Sequence, residues 1–114
     1  MEINKLCIVA HENAVNHGFW DSWEKINKIP DFNGEYDAIE QDHTSKLLML
    51  IVGEVSEAME ALRKNDDDNF KEELADVVIR VFDLCGGLNI DLETEITKKM
   101  EKNVNRPYKH GKAF

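Results

Sequence analysis

The sequence predicts an all-α fold, a helical bundle of about four helices, and two observations support this. Its 114 residues include only two prolines, Pro30 and Pro107, and six glycines, so long segments contain no helix breaker. In several of these segments apolar residues recur every three or four positions, which is the helical period. The length suits a single domain, 1–114, with a core of its own.

Charge and composition exclude several classes of protein. A net charge of −9 argues against a protein that binds DNA or RNA, because phosphate backbones select basic surfaces. The apolar run at 47–52 is far shorter than the ~20 residues that span a bilayer, and no secretory signal begins the chain. We therefore expect a cytoplasmic protein without a membrane partner, in which Cys7 and Cys85 are reduced and buried.

The first helix is predicted over residues 3–16 and ends near His17 and Gly18. The next segment, through Pro30 and the pair Asn33-Gly34, loses the helical period. It is either a long ordered loop or a short helix between loops. The apolar positions that predict the first helix are Ile3, Leu6, Cys7, Ala10, Ala14 and Val15.

A second helix is predicted from Asp42 or Thr44 to Lys64. Its residues 47–52, "LLMLIV", are apolar on every side, and a single neighbouring helix cannot cover such a segment. The default expectation is a homodimer that completes the core by burying 47–52, because closed symmetric oligomers are common.

Two further helices follow. The acidic turn at 65–69, "NDDDN", ends the second helix and caps a third over about 70–86. Asp91 is a plausible N-cap for a last helix, which ends near Asn105 before Pro107. The stripe predicted to be buried on the third helix is Leu74, Val77, Val78, Val81, Phe82 and Cys85.

Two carboxylates interrupt the apolar face of the second helix. Glu54 and Glu57 are three positions apart and therefore project together. The same face carries Leu47, Leu50 and Ala61, so the acids lie within an apolar strip. Carboxylates in such a place require a counter-charge unless the helix turns them to solvent.

Glu73 and Asp76 repeat this spacing on the third helix. Antiparallel neighbours joined by a short turn bring the two pairs face to face, where four carboxylates repel unless a divalent cation neutralises them. Ligation by oxygen alone suits Mg²⁺, with Mn²⁺ as the alternative. The competing interpretation is an exposed polar face made of residues 72, 73, 76, 80 and 83.

The order Glu54-x-x-Glu57, then fifteen residues, then Glu73-x-x-Asp76 resembles the metal motif of the MazG-like all-α nucleoside triphosphate pyrophosphohydrolases. The segments "EELADVVIRVFDLCGGLNIDLETEI" and "KKMEKNVNRPYKHGKAF" resemble the family's third helix and basic C-terminal segment, so the resemblance covers about 44–114. The family's first motif often begins with two adjacent glutamates, whereas here the first is Gly53. Glu72 and Asp83 are candidates to replace it.

The resemblance implies Mg²⁺-dependent hydrolysis of (deoxy)nucleoside triphosphates to a monophosphate and pyrophosphate. It implies that the four carboxylates are the catalytic and metal-binding residues, and that the enzyme is a homodimer or a tetramer made of two dimers. By similarity it also assigns substrate phosphates to the basic C-terminal segment, where the alternative is a basic helix end followed by a frayed tail. The residues so assigned are Lys99, Asn103 and Arg106, with Lys112 further along the tail.

Base recognition requires an aromatic surface, which Trp20 or Trp23 offers in the irregular segment. For each the alternative is a tryptophan that seals one end of the bundle. None of the four histidines has the spacing of a metal ligand, and a di-iron site would require E-x-x-H pairs that the two helices lack. The alternative function is a non-catalytic helical dimer that acts as a regulatory or assembly module, which leaves the carboxylates unexplained.

Overall fold

A computed structural model describes residues 2–29 and 36–114, and within them the chain forms helices and no strand. Two long helices, α3 and α4, form an antiparallel hairpin, and α1 packs against α4. A short 3₁₀ turn, Tyr108–Gly111, follows the last helix. The helices are α1 (Ile3–Asn16), α2 (Asp21–Asn27), α3 (Tyr36–Arg63), α4 (Asp67–Gly87) and α5 (Leu92–Val104).

Two adjacent glycines allow α1 to pack closely against the end of α4. A Cβ atom on Gly86 would overlap the backbone carbonyl of Cys7 and lie 2.8 Å from the Cβ of His11. A Cβ on Gly87 would overlap the ring of Trp20. Only glycine permits this approach without moving a backbone.

The turn between α3 and α4 is short because asparagine and aspartate satisfy its backbone. Asn65 adopts a left-handed conformation, with φ of 56°, that ends α3. The side chain of Asp66 then accepts a hydrogen bond from the backbone N–H of Asn69 at 3.1 Å, which caps α4. This turn brings the acidic motifs of the two helices alongside each other.

The turn between α4 and α5 uses the same devices and also holds the start of α1. Asn89, with φ of 56°, ends α4, and Asp91 caps α5 by accepting from the backbone N–H of Thr94 at 3.2 Å. Asn4 donates its side-chain N–H to Asp91 at 2.9 Å, and its backbone N–H to Glu93 at 2.8 Å. The hydrogen bonds from Asn4 and Thr94 lower the pKa of Asp91.

The core is centred on Trp20, which is 2% exposed and packs with Leu47 and Leu84. His43 is also buried there, its ring 4.7 Å from that of Trp20 between centroids. Burial, with Lys46 nearby, lowers the pKa of His43 and favours the neutral ring. Cys7 and Cys85 are free and buried, as the sequence predicts, and burial raises the pKa of both thiols.

The sequence predicts most helix boundaries well and one poorly. The prediction for α1 is confirmed, and α5 begins after the predicted cap, Asp91, and ends one residue before Asn105. The irregular segment contains the short helix α2, and its residues 30–35 lie outside the described part of the chain. The predicted start of the second helix at Asp42 or Thr44 is wrong, because α3 begins at Tyr36. The helix predicted over about 70–86 is α4, which begins three residues earlier, at Asp67.

The predicted buried stripe of α4 is wrong in part. Leu74 and Val78 are each 46% exposed, whereas Asp83, assigned to the possible polar face, is 7% exposed. The reason is that α4 packs against α1 on one side and α3 on the other, so the face with Asp83 turns inward. Donors on Trp20 and His11 then compensate the burial of its carboxylate.

One face of α3 is apolar and exposed. Five residues at heptad spacing occupy it, each between 50% and 58% exposed: Leu48, Val52, Val55, Met59 and Leu62. This exposed α3 stripe lies opposite the face that carries Glu54 and Glu57. No helix in the described ranges has the length and apolar character that crossing a membrane requires.

Candidate active site

Three of the four predicted carboxylates converge between α3 and α4. One oxygen from each of Glu54, Glu57 and Glu73 lies within 4.8 Å of the others. The i, i+3 spacing places the first two on the face that turns towards α4, with Ala61 buried one turn further along. Asp76 is exposed and stands outside this group of three, although it lines the same cleft as Glu54.

Arg80 supplies a positive charge at the edge of this group. Its Nε–H donates to Glu54 Oε1 at 2.7 Å, and its guanidinium lies over the ring of Phe19, 5.3 Å from the centroid. The hydrogen bond from Arg80 holds the pKa of Glu54 below its usual value. This single guanidinium therefore stabilises one of the three carboxylates in its charged form.

Glu73 has the opposite environment. Burial, together with the adjacent carboxyl groups of Glu57 and Glu54, raises its pKa to about 7. Its Oε2 is buried and has no hydrogen-bond partner within the described residues. A buried carboxylate oxygen without a donor is costly unless a proton or a cation meets it.

These features fit a hard divalent cation. The donors are carboxylate oxygens alone, the set that Mg²⁺ and Mn²⁺ prefer. Glu73 combines a buried, unpartnered Oε2 with two like-charged neighbours, and a cation would satisfy that oxygen and neutralise the repulsion. The described residues place no histidine or cysteine in this group.

A cleft of about 240 Å³ adjoins the carboxylates and runs between α1 and α4. Four polar side chains line it on the α3 and α4 side: Glu54, Asp76, Arg80 and Asp83. Its remaining walls come from α1, from Phe19 and from Ile79 on α4. The carboxylate site is thus open to a ligand along one side of α4.

Asp83 forms a hydrogen-bonding centre that the sequence does not reveal. Its Oδ1 accepts the indole N–H of Trp20 at 2.8 Å, and Nδ1 of His11 lies 3.1 Å from the same oxygen. The one sequence signal for Asp83 is that it continues the polar stripe of Glu73, Asp76 and Arg80 along the same helix. The donors are 63 and 72 residues away in the chain, so their pairing with Asp83 cannot be predicted from spacing.

The residues predicted to contact substrate phosphates are neither in the group of three carboxylates nor in the lining of the cleft. Lys99, Asn103 and Arg106 are exposed on α5 and just beyond it, and Lys112 is exposed in the tail. Within the described ranges, no hydrogen bond or ion pair connects them to the carboxylates. Arg106 Nη1 instead lies 3.0 Å from His110 Nδ1.

The two tryptophans differ in their accessibility. Trp20 fills the core and makes edge contacts with His11 and Trp23, so the prediction that it stacks on a base does not fit this structure. Its indole N–H is engaged by Asp83, which fixes the ring inside the bundle. The alternative interpretation, a tryptophan that seals the core, describes Trp20. Trp23 is only partly buried.

Gly53 occupies the position where the resembled family often has the first of two adjacent glutamates. It lies on the exposed side of α3, and a Cβ atom there would meet no atom within 4 Å. The backbone therefore does not require glycine at this position. Of the candidate replacements, Glu72 is exposed and outside the group of three carboxylates, and Asp83 bonds to Trp20.

A helical hairpin that presents E-x-x-E and E-x-x-D motifs to each other defines an all-α protein with an acidic site between its two longest helices. The chain belongs to the MazG family: the family model described as the MazG nucleotide pyrophosphohydrolase domain matches residues 41–110. This match confirms the resemblance seen in the sequence. It includes the four carboxylates and the predicted phosphate contacts on α5, but not Trp20 or Lys112. Neither curated proteins nor solved structures gave a match.

Proposed function

We propose that the protein hydrolyses (deoxy)nucleoside triphosphates to nucleoside monophosphate and pyrophosphate in a Mg²⁺-dependent reaction. The observation that carries the proposal is the convergence of Glu54, Glu57 and Glu73 around a buried, unpartnered carboxylate oxygen. Membership of a nucleotide pyrophosphohydrolase family supports it. A non-catalytic helical module has no use for three carboxylates held at a repulsive distance.

The three converging carboxylates would hold the cation, and Asp76 is the fourth acid proposed for the site. A bound Mg²⁺ supplies positive charge to the phosphate oxygens and lowers the pKa of coordinated water. Mn²⁺ has the same ligand preference and is expected to substitute for it.

The chain's own groups orient the substrate and move the proton. The cleft along α4 receives the nucleoside, and its apolar walls exclude water from one side of the reacting phosphate. A carboxylate of the site accepts the proton of the attacking water, whose oxygen bonds to phosphorus while the pyrophosphate leaves. Arg80 keeps Glu54 charged and fixed during these steps.

The basic C-terminal segment is proposed to bind the substrate phosphates. Lys99, Asn103 and Arg106 recur along the end of α5 and its exit, where acidic residues are few. All are exposed and available to a ligand. Because the protein carries a net charge of −9, a basic segment offers an anionic substrate a local attraction that the rest of the surface lacks.

We also propose that the protein is a homodimer, or a tetramer of two dimers, in which a second copy covers the exposed α3 stripe. The stripe is continuous along the helix and contains no charged residue, so its complement is another apolar surface. Its heptad spacing suits helix-on-helix packing between two copies of α3. In a symmetric homodimer each copy covers the other with the same surface, so no different protein is needed to supply the matching face.

The proposed function is tested by pyrophosphate release from a panel of ribo- and deoxynucleoside triphosphates. Activity is expected with Mg²⁺ or Mn²⁺ and should disappear in excess EDTA. Product analysis should show a monophosphate and pyrophosphate rather than a diphosphate and phosphate. Full activity in EDTA would contradict the metal site. No release from any nucleotide with either metal would favour the non-catalytic module.

A further inference from the structure

The cleft contains a buried acid that metal binding does not require. Asp83 is 7% exposed, lines the cleft and is not one of the three converging carboxylates. Its Oδ1 is occupied by Trp20 and His11. No hydrogen bond reaches its Oδ2 within the described part of the chain, so this oxygen can accept from a ligand in the cleft.

The position of Asp83 along α4 suits the base of a nucleotide. The residues of α4 that line the cleft run from Asp76, three positions after Glu73 of the carboxylate group, to Asp83. Two helical turns separate these ends, about 10 Å along the axis at about 1.5 Å per residue. A nucleotide spans a similar distance from its α-phosphate to the far edge of its base. Phosphates at the carboxylates therefore place the base edge near Asp83.

The walls between the two ends also suit a base. Ala10 and Ala14 on α1, with Phe19 and Ile79, give the cleft an apolar lining that suits a planar ring, and Asn13 is the polar residue that α1 adds to it. Asp83, at the other end of this lining along α4 from Asp76, offers a base edge a carboxylate acceptor. Arg80 also lines the cleft, but its Nε–H already donates to Glu54.

We propose that Asp83 selects nucleotides whose base carries an exocyclic amine, by accepting a hydrogen bond from that amine on Oδ2. The inference rests on the proposed function, because it takes the phosphates to lie at the carboxylates. An ionised carboxylate only accepts hydrogen bonds. A carbonyl in place of the amine would set two acceptors against each other in a buried place, which a site of this kind rejects strongly.

The competing explanation is that Asp83 only anchors Trp20 and His11. Asp83→Asn separates the two roles. Asparagine retains an oxygen that can accept from Trp20, so the anchor and the fold are kept. Its amide replaces the second oxygen with a donor, which matches a carbonyl and no longer matches an amine.

The experiment compares bases that differ in this group, dCTP with dUTP and dATP with dITP. kcat/KM is measured with wild type and Asp83→Asn, and affinity for the four monophosphates is measured by calorimetry. Wild type should prefer the amine in both pairs by about tenfold or more, and Asp83→Asn should abolish or reverse that preference. Asp68→Asn makes the same chemical change in the exposed first turn of α4 and should leave the preference unaltered.

The possible results distinguish this inference from the proposed function. Wild type without a preference in either pair would overturn the inference, even if the Asp83 variant does not fold. An equal loss towards all four nucleotides in Asp83→Asn would overturn it in favour of the anchoring role. A preference among the monophosphates that Asp83→Asn reverses, in a protein that hydrolyses no triphosphate, would support the inference while refuting the proposed function.

Discussion

The side chain of Arg80 reaches from α4 to α3 and donates its Nε–H to Oε1 of Glu54 at 2.7 Å. The pair is shielded, with the two side chains 27% and 13% exposed. The hydrogen bond between Arg80 and Glu54 therefore links the acidic site to the packing of α3 against α4. A change in this pair should therefore affect both the stability of the protein and its response to metal.

Arg80→Ala should lower the free energy of unfolding of the metal-free protein by about 1–3 kcal/mol, because Glu54 loses its charged donor while remaining shielded. Mg²⁺ should restore part of this loss by supplying the missing positive charge. Urea unfolding with and without Mg²⁺ measures both effects.

Arg63→Ala is the matched control for Arg80→Ala. Arg63 pairs with Glu60 at 3.8 Å, but its side chain is 73% exposed, so its removal should change stability by less than about 0.5 kcal/mol. Equal effects of the two variants would show that shielding from solvent does not increase the contribution of the Arg80–Glu54 pair to stability.

Glu57→Ala should lower kcat at least about a hundredfold, the lower range for loss of a group that supports transition-state charge, because a carboxylate proposed to hold the cation is removed. It should also weaken Mn²⁺ binding measured without nucleotide, because one of three converging oxygens is removed. The helical signal should not change, since Glu57 is exposed. Glu60→Ala, on the next turn of α3, is the control and should retain activity. Wild-type rates for Glu57→Ala would refute its assignment to the site.

The metal-free protein should lose stability as the pH rises from about 5 to about 8. The pKa of Glu73 is raised from 4.5 to about 7 in the folded state, so the folded protein holds this proton more tightly than the unfolded chain. That contribution is present at low pH and is lost as the pH rises through 7. Unfolding by urea across this range, with Glu73→Gln beside wild type, measures it.

Two comparisons test the cause of this pH dependence. Glu73→Gln should show a smaller slope because its amide does not titrate in this range. Saturating Mg²⁺ should also reduce the slope in wild type, since the cation replaces the proton as counter-charge. An unchanged slope in Glu73→Gln would assign the dependence to another group.

Light scattering should give a dimer or a tetramer rather than a particle of 13.1 kDa at micromolar concentration. Met59→Glu, in the middle of the exposed α3 stripe, should shift the protein towards the monomer by placing a charge in the apolar interface. Val104→Glu is the control, because Val104 is exposed at the end of α5, away from the stripe. A monomeric wild type would contradict the proposed dimer.

Arg106→Ala should reduce kcat/KM by about tenfold or more, which corresponds to roughly 1.5–3 kcal/mol for a hydrogen bond from a charged group to phosphate. Its stability should hardly change, because Arg106 is exposed and lies beyond the end of α5. Steady-state kinetics and thermal unfolding provide the comparison. Deletion of residues 107–114 tests Lys112 in the same way. Unaltered kinetics in both variants would exclude the segment from the substrate site.

The features that the sequence predicts well are those that depend on residues close together in the chain. The spacing of apolar residues identifies α1, and Asp91 marks the start of α5 because a cap acts on the next turn of the chain. Glu54 and Glu57 can be placed on the inner face of α3 because Leu47 and Ala61, which are both buried, fix that face.

The features that it misses depend on contacts between distant segments. The sequence pattern places Asp83 on a polar surface, because its contacts with Trp20 and His11 join distant segments. The same pattern places Leu74 in the core, whereas the single chain leaves Leu74 exposed. The first turns of α3 lack apolar periodicity, so the helix appears to begin after Tyr36. Convergence of Glu73 with the pair on α3 is predictable, whereas the separation of Asp76 from that group is not.

The glycine contact between α1 and α4 determines how the cleft can move. At one end α1 is seated against Gly86 and Gly87, where the fit to Cys7 and Trp20 leaves no room for sliding, and Asn4 fastens its first turn to Asp91. α1 therefore forms a fixed wall. Opening of the cleft then relies on rotation of exposed side chains such as Phe19, on the picosecond-to-nanosecond scale of rotamer exchange rather than the slower scale of helix displacement. A ligand consequently meets a preformed wall, and the protein backbone in this wall loses little entropy when the ligand binds.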